Sequence, residues 1–268
     1  ADVMNANDWH AALSVVYLDR YRRERNDFYK DMKSVISIHN VEFQGKFNPY
    51  LLGSLFGLGN DYLGALKFDH DINLLKGAIQ LADRVNTVSE NYANELLNPY
   101  FSFGLDPILS SERGKLRGIV NGIDYDKFDP SSDPNISQKF SLKSLNKKIK
   151  NKLAFQKEMA LEVSEDIPMV GMVTRLTGQK GIDLVVGAAE HILNMGAQLV
   201  ILGTGDPYFE DQLRNLENRR HDKMRSILKF SNEISSKIYA SSDIFLMPSK
   251  SEPCGLSQLI AMRYGSIP

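Results

Sequence analysis

Residues 251–258 read S-E-P-C-G-L-S-Q and follow closely on an apolar run, 244–247, that ends at Pro248. A strand here runs into a turn holding a carboxylate, Glu252, and a thiol, Cys254, and a helix opens at or near Gly255. Helix N-termini present unpaired N–H groups and a partial positive charge, a combination that suits phosphate. Glu252 beside such an anion site is placed to hold the uncharged part of a phosphorylated ligand. Ordinary loop roles for Glu252 and Cys254 fit the same spacing.

Residues 170–181, V-G-M-V-T-R-L-T-G-Q-K-G, follow the same logic upstream. An apolar strand delivers Arg175 and Lys180 into the loop before a helix that starts near Ile182. A planar guanidinium and a point-charge ammonium on one loop can converge on one diphosphate. Alone, the pair reads more simply as solvated loop cations. With the Glu252 turn on the next-but-one strand of a parallel sheet, the ligand-binding reading is favoured, because loops at the carboxyl ends of parallel strands face one crevice.

The 268 residues can bury a large core, as one big domain or two modest ones. A hydrophobic content of 43% with 24% charged residues is that of a soluble globular protein. A formal charge of −1 gives no electrostatic case for nucleic acid or an anionic membrane as partner. The single cysteine excludes an internal disulfide and suits a reducing compartment. No apolar run approaches the roughly 20 residues that span a bilayer. There is no H-E-x-x-H, no paired cysteine and no carboxylate cluster at ligand spacing, so no protein-bound metal is expected. The opening, A-D-V-M-N-A-N-D-W-H, resembles the end of a strand, and Y-G-S-I-P stops where another would begin; the expectation is an internal fragment.

Short apolar runs alternate with helical patterns, the signature of βα units. Strands are predicted at 34–38, 84–88, 116–120, 169–174, 198–202, 226–230 and 243–247, and helices at 9–21, 72–81, 91–97, 147–159, 182–193, 209–219 and 234–240. The Ser-, Asn- and Lys-rich stretch 130–150 marks a compositional change, and a hinge is placed at 123–129. The resulting expectation is an α/β chain of two Rossmann-like halves, 1–123 and 124–268. Residues 48–70 are expected to be a surface loop or lid edge. No internal repeat or low-complexity tract is present.

The first half carries its own polar residues at strand ends. Asp8 precedes a helix and reads either as its N-cap or as a ligand-facing carboxylate. His39 ends the strand at 34–38, where it is better placed for a ligand than on an apolar face. Asn121-Gly122 ends the third strand, with a tight turn as the plainer role. The turn G-T-G-D at 203–206 is too short for a dinucleotide fingerprint and reads as a plain βα connection.

The segments N-D-W-H-A (7–11), I-H-N-x-x-x-Q-G (38–45), A-D-R-V-x-T-V-S (82–89), G-K-L-x-G-I-V-N-G-I-D (114–124), T-R-L-T-x-Q-K-G (174–181), L-G-T-G-D-P (202–207) and L-M-P-S-x-x-E-P-C-G-L (246–256) occur in this order. Together they resemble the bacterial glycogen synthases and plant starch synthases over essentially the whole chain. The resemblance implies a GT-B fold, with two doubly wound parallel-sheet domains facing a cleft, both truncated here. It also implies a retaining glucosyltransferase that extends an α-1,4-glucan from ADP-glucose without a cofactor or catalytic metal. The location would be cytoplasmic, or plastid stroma for a plant or alga.

By that resemblance Arg175 and Lys180 neutralise the diphosphate leaving group, and Glu252 accepts hydrogen bonds from glucose hydroxyls. Gly255, Leu256 and Ser257 cradle phosphate with their amides. His39 and Asn121 contact the donor sugar, Asp8 faces sugar and acceptor, and Cys254 shapes the donor pocket. Phe230 corresponds to an aromatic against the nucleotide base, preceded in the family by Gly and here by Lys229. The family's N-terminal K-x-G-G loop is missing from this sequence, so the piece alone is expected to have little synthase activity. Other readings are a GT-B transferase with another acceptor, disfavoured by Ile at position 244 where a second glutamate would stand, and a non-catalytic glucan-binding scaffold.

Overall fold

The computed structural model describes residues 1–268, which form two compact units, Ala1–Asn121 and Gly122–Pro268. The first contains strands β1 (Val3–Asn7), β2 (Lys33–Ile38), β3 (Lys46–Phe47), β4 (Lys67–Phe68), β5 (Asp71–Asn73), β6 (Arg84–Thr87) and β7 (Leu116–Gly118). Its helices are α1 (Asp8–Arg23), α2 (Leu51–Ser54), α3 (Leu63–Leu66), α4 (Leu74–Leu81), α5 (Glu90–Glu95), α6 (Pro99–Ser102) and α7 (Asp106–Ser111). A parallel sheet of order β1-β2-β6-β7 carries the unit, with Val3 facing Lys33 and Val35 facing Arg84. Ile36, Ile38 and Val85 are buried, as are Ala12, Val15 and Val16 on α1 and Leu75, Ala78 and Ile79 on α4. Gly77 lets α4 sit close to its neighbours: a Cβ there would lie 2.4 Å from a Leu66 methyl carbon.

Residues 48–70 differ from the expected loop. Part of this stretch joins a small antiparallel sheet, β3-β5-β4, and Leu52, Leu58, Tyr62 and Leu66 are all buried. Leu58, Tyr62 and Leu66 keep the helical interval of four, but Gly53, Gly57, Gly59 and Gly64 give the stretch a loop-like composition. The helix predicted at 72–81 starts two residues later, because Asp71–Asn73 pairs as β5 and Asn73 caps α4 by accepting from Lys76 N–H. The strand predicted at 116–120 ends at Gly118, leaving Ile119 and Val120 exposed.

The second unit contains β8 (Met169–Val173), β9 (Gln198–Leu202), β10 (Met224–Ile227) and β11 (Ile244–Phe245). Its helices are α8 (Ile149–Glu158), α9 (Ile182–Asn194), α10 (Pro207–Arg219), α11 (Asn232–Ser241) and α12 (Leu256–Arg263). The sheet is parallel in the order β10-β9-β8-β11. Side chains alternate between its faces. Val170, Met172, Leu199 and Ile201 join Ile182, Val185, Leu193, Leu213 and Leu216 in one core, while Met169, Val200 and Leu202 join Phe155, Ile238, Tyr239, Ile260 and Tyr264 in the other. Burial on both faces explains the unbroken apolar strands and defines a doubly wound sheet. Gly171 sits where α11 presses on the sheet: a Cβ would lie 2.0 Å from Ser242 Oγ.

β10 lies at Met224–Ile227 instead of the predicted 226–230. Arg225 disguised it. Although charged, Arg225 is buried inside the strand because its guanidinium donates to the carbonyls of Met159, Ala160 and Met224, among others. The polar-looking stretch 130–150 packs into this unit, where Ile136 and Phe140 enter the core and buried Asp133 accepts from Tyr264 Oη at 2.5 Å.

Candidate functional site

In the second unit the predicted residues lie at the carboxyl ends of the strands. Arg175 follows β8, Lys180 closes a 3-10 turn at Gly178–Lys180, and Glu252 stands between β11 and α12. β8 and β11 are direct neighbours, closer than the next-but-one relation expected from sequence. That adjacency places Lys180 Nζ 2.6 Å from Glu252 Oε2, and Ser249 Oγ donates to the same oxygen at 3.0 Å. The two loops touch through their backbones as well. Gly181 adopts φ +70°, and a Cβ there would lie 2.1 Å from the Pro248 carbonyl oxygen. Only glycine fits that position.

The same unit holds a cavity of about 320 Å³, lined by Arg175 but not by Lys180 or Glu252. Val173, Leu202, Phe230, Phe128 and Ile260 supply apolar lining, and Thr174, Arg175, Thr204, Ser231, Asn232 and Ser257 supply polar lining. No carboxylate is among the lining side chains, so the cavity favours anions and neutral polar groups. Tyr239 also lines it, and burial raises its hydroxyl above the ordinary tyrosine value. Phe230 is 84% exposed because the chain has already left β10 when it reaches that residue.

Gly255 caps α12 from the left-handed region, φ 78° and ψ 57°, with no side-chain cap. Leu256 is partly exposed, and Ser257 Oγ reaches the Val173 carbonyl at 3.5 Å, tying α12 to the end of β8. Cys254 is a free, partly buried thiol whose carbonyl accepts from Gln258 Nε2 at 3.2 Å. The plain turn expected at 203–206 also lines the cavity, through Gly203 and Thr204. A Cβ on Gly203 would lie 1.9 Å from the Thr174 carbonyl oxygen, so the glycine answers to backbone packing.

In the first unit β1 and β2 are neighbours, and their ends bring Asp8 and His39 together. Asp8 is not the helix cap. Asn7 holds that position without a side-chain bond, while Asp8 takes φ 53° and its Oδ1 accepts from the amides of His39, at 2.8 Å, and Asn40, at 3.3 Å. The exposed His39 ring places Nε2 2.8 Å from Asn7 Oδ1. The same loop is fastened by Val41 N–H donating to Tyr92 Oη, a phenol pushed up to about 12 chiefly by burial. Asn121 leaves β7, which β6 separates from β2, and its N–H donates to the Val88 carbonyl at 3.3 Å.

Sequence reasoning missed Phe128, Ser249 and the α11 start among these residues. Only the Ser231 cap, which accepts from Ile234 N–H, left a local signal. No group of three or more His, Cys, Asp or Glu side chains is placed to hold a metal ion. No helix is long and apolar enough to cross a membrane.

The parallel sheets, with cations and a carboxylate on adjacent strand ends, define an α/β protein of the GT-B glycosyltransferase class. The family model described as "Starch synthase catalytic domain" matches residues 1–111, and "Glycosyl transferases group 1" matches residues 155–268. The glycogen synthase of Clostridium perfringens is 48% identical over the whole chain, and that of Streptococcus mutans is 46% identical. The catalytic domain of Starch Synthase IV from Arabidopsis thaliana, bound to ADP and acarbose, superposes with a TM-score of 0.91 at 37% identity. It is matched by the whole chain over 56% of its own length. Sucrose-phosphate synthase from Thermosynechococcus elongatus, at 18% identity and a TM-score of 0.57, shares the fold alone. The chain belongs to the glycogen synthase and starch synthase family, and it spans 56% of the length of the two bacterial relatives.

Proposed function

We propose that the protein containing this chain is a retaining glucosyltransferase that extends an α-1,4-glucan from ADP-glucose. The observation that carries this reading is that one loop, after β8, puts Arg175 in the cavity wall and pairs Lys180 with Glu252. The cavity accepts the nucleoside, and Arg175 and Lys180 meet the diphosphate. As the sugar–phosphate bond breaks, negative charge grows on the departing diphosphate, and fixed cations aimed there lower the barrier. The uncapped N-terminus of α12 adds the amides of Gly255, Leu256 and Ser257 to the phosphate side.

Glu252 exchanges its contact with Lys180 for glucose hydroxyls when donor enters, which frees the ammonium for phosphate. His39, fixed by Asp8 through its backbone amide, Asn121 and Asp8 itself are the first unit's candidates for contacts to sugar and acceptor. Cys254 shapes the pocket wall. The reaction needs neither cofactor nor metal in this reading, and the location is cytoplasmic, in keeping with bacterial relatives and an unpaired thiol.

The test is transfer of labelled glucose from ADP-glucose and from UDP-glucose to glycogen by the purified protein. Polymer growth with ADP-glucose, lost in Lys180→Ala, supports the reading. Glucan binding with no transfer from either donor points to a scaffold and overturns it.

A further inference from the structure

We propose that Phe128 is a wall of the nucleobase subsite and biases it toward a purine over a pyrimidine nucleoside diphosphate. The inference rests on the cavity being the donor's nucleotide site. Phe128 comes from the start of the second unit, 41 residues before β8, yet it packs on the core that contains Ile260 and lines the cavity with Phe230.

The turn that presents Phe128 is a built one. Its N–H donates to the Asp124 carbonyl at 2.9 Å, and Asp124 Oδ1 accepts from the amides of Asp126 and Lys127, both at 3.0 Å. Arg263, on the last turn of α12, clamps the turn from the other side. Its Nε donates to the Phe128 carbonyl at 3.2 Å, its Nη2 lies 3.4 Å from Asp129, and its guanidinium sits 5.0 Å over the Tyr125 ring. One helix thus carries the uncapped N-terminus, the wall residues Ser257 and Ile260, and the clamp on Phe128.

The two aromatic rings differ in exposure. Phe230 is 84% exposed, whereas Phe128 is half-buried on a turn fixed by backbone hydrogen bonds. A base in this cavity gains stacking area from a surface already in position, and pre-positioned contacts cost little ordering on binding. A bicyclic base covers more ring than a monocyclic one, so loss of the Phe128 face weakens ADP more than UDP. Arg263 acts through Phe128 and is a positioning residue.

Calorimetric titration of the purified protein with ADP and with UDP tests this, alongside thermal unfolding of each variant. Phe128→Leu keeps the packing volume and removes the ring; ADP is expected to weaken about tenfold and UDP about threefold, with the melting temperature little changed. Phe128→Tyr restores the ADP preference. If Phe128→Ala does not fold, Phe128→Leu decides the matter. Equal weakening of both nucleotides, or none, in folded Phe128→Leu overturns the assignment of Phe128 while leaving the site intact, provided Phe230→Ala weakens ADP. If neither Phe230→Ala nor Lys180→Ala changes ADP binding, the cavity is not the nucleotide site and both readings fall.

Discussion

Lys180 and Glu252 stand 72 residues apart in sequence and 2.6 Å apart in space, with side chains only 15% and 25% exposed. A partly desolvated pair of this kind contributes modestly to stability, since attraction and desolvation oppose each other. Its value lies in position, because it ties the loop after β8, which carries Arg175 into the cavity wall, to the loop after β11.

Lys180→Ala is expected to lower transfer about a hundredfold or more, the range for loss of one fixed charge facing a developing oxyanion. Stability should fall by about 2–4 kcal/mol, because the Glu252 carboxylate, with its side chain only 25% exposed, loses its counter-charge. Labelled-glucose transfer and urea unfolding on the same preparation separate the two effects. A variant that unfolds easily yet transfers normally when folded would assign the pair to structure alone.

Gly181→Ala should be costly although it removes no functional group. The residue has φ +70°, and a Cβ would press on the Pro248 carbonyl. The loop carrying Lys180 must shift away from the one carrying Glu252. A stability loss of about 1–3 kcal/mol is expected from the strain, with transfer reduced at least tenfold. Retained activity at full stability would show that the two loops tolerate separation.

Asp8→Ala removes the acceptor for the His39 and Asn40 amides. The amides lie near solvent, so the loss should be about 1 kcal/mol, read as a lower urea midpoint. Asp8→Gly loses the same bonds but relieves the positive φ, so it should be the milder change of the two. The opposite order would mean that the φ of Asp8 is unstrained.

Lys148 offers a pH test away from the site. Its Nζ donates to the carbonyls of Tyr239 and Ala240 and to Ser266 Oγ, at 2.9–3.2 Å, and burial pushes its pKa down from 10.5 to about 7. Asp243 opposes that shift and Lys152 adds to it. Between about pH 7 and 10.5 the unfolded chain binds the proton that the folded chain has released, so this group adds stability as pH rises. Below about 7 both states are protonated and the contribution is flat. The stability difference between the protein and Lys148→Met, measured in urea, should grow by about 1–2 kcal/mol from pH 7 to pH 9. A constant difference would show that Lys148 stays charged in the fold.

The strands of the second unit were legible because both sheet faces are buried, which writes apolar runs such as 169–173 and 199–202. β10 was displaced in the sequence reading because the carbonyls that satisfy Arg225 come from other elements and leave no local trace. Residues 48–70 failed for another reason: Gly53, Gly57, Gly59 and Gly64 give a loop-like composition to a stretch in which Leu52, Leu58, Tyr62 and Leu66 are buried. Among site residues, those following a strand within a few positions could be marked in advance. Phe128 could not, since nothing beside it in sequence points to a ligand.

The amino-acid sequence by itself determined the alternation of strand and helix, the family, and the placing of Arg175, Lys180, Glu252, Asp8 and His39 after strands. Local patterning and strand-end position are properties of neighbouring residues, so the chain carries them unaided. Only the tertiary structure decided that β8 and β11 adjoin, that Lys180 meets Glu252, that Asp8 fastens the His39 loop, and that Arg263 clamps Phe128 at the cavity wall. Those contacts join residues distant in sequence, and strand order and helix packing bring them within bonding range.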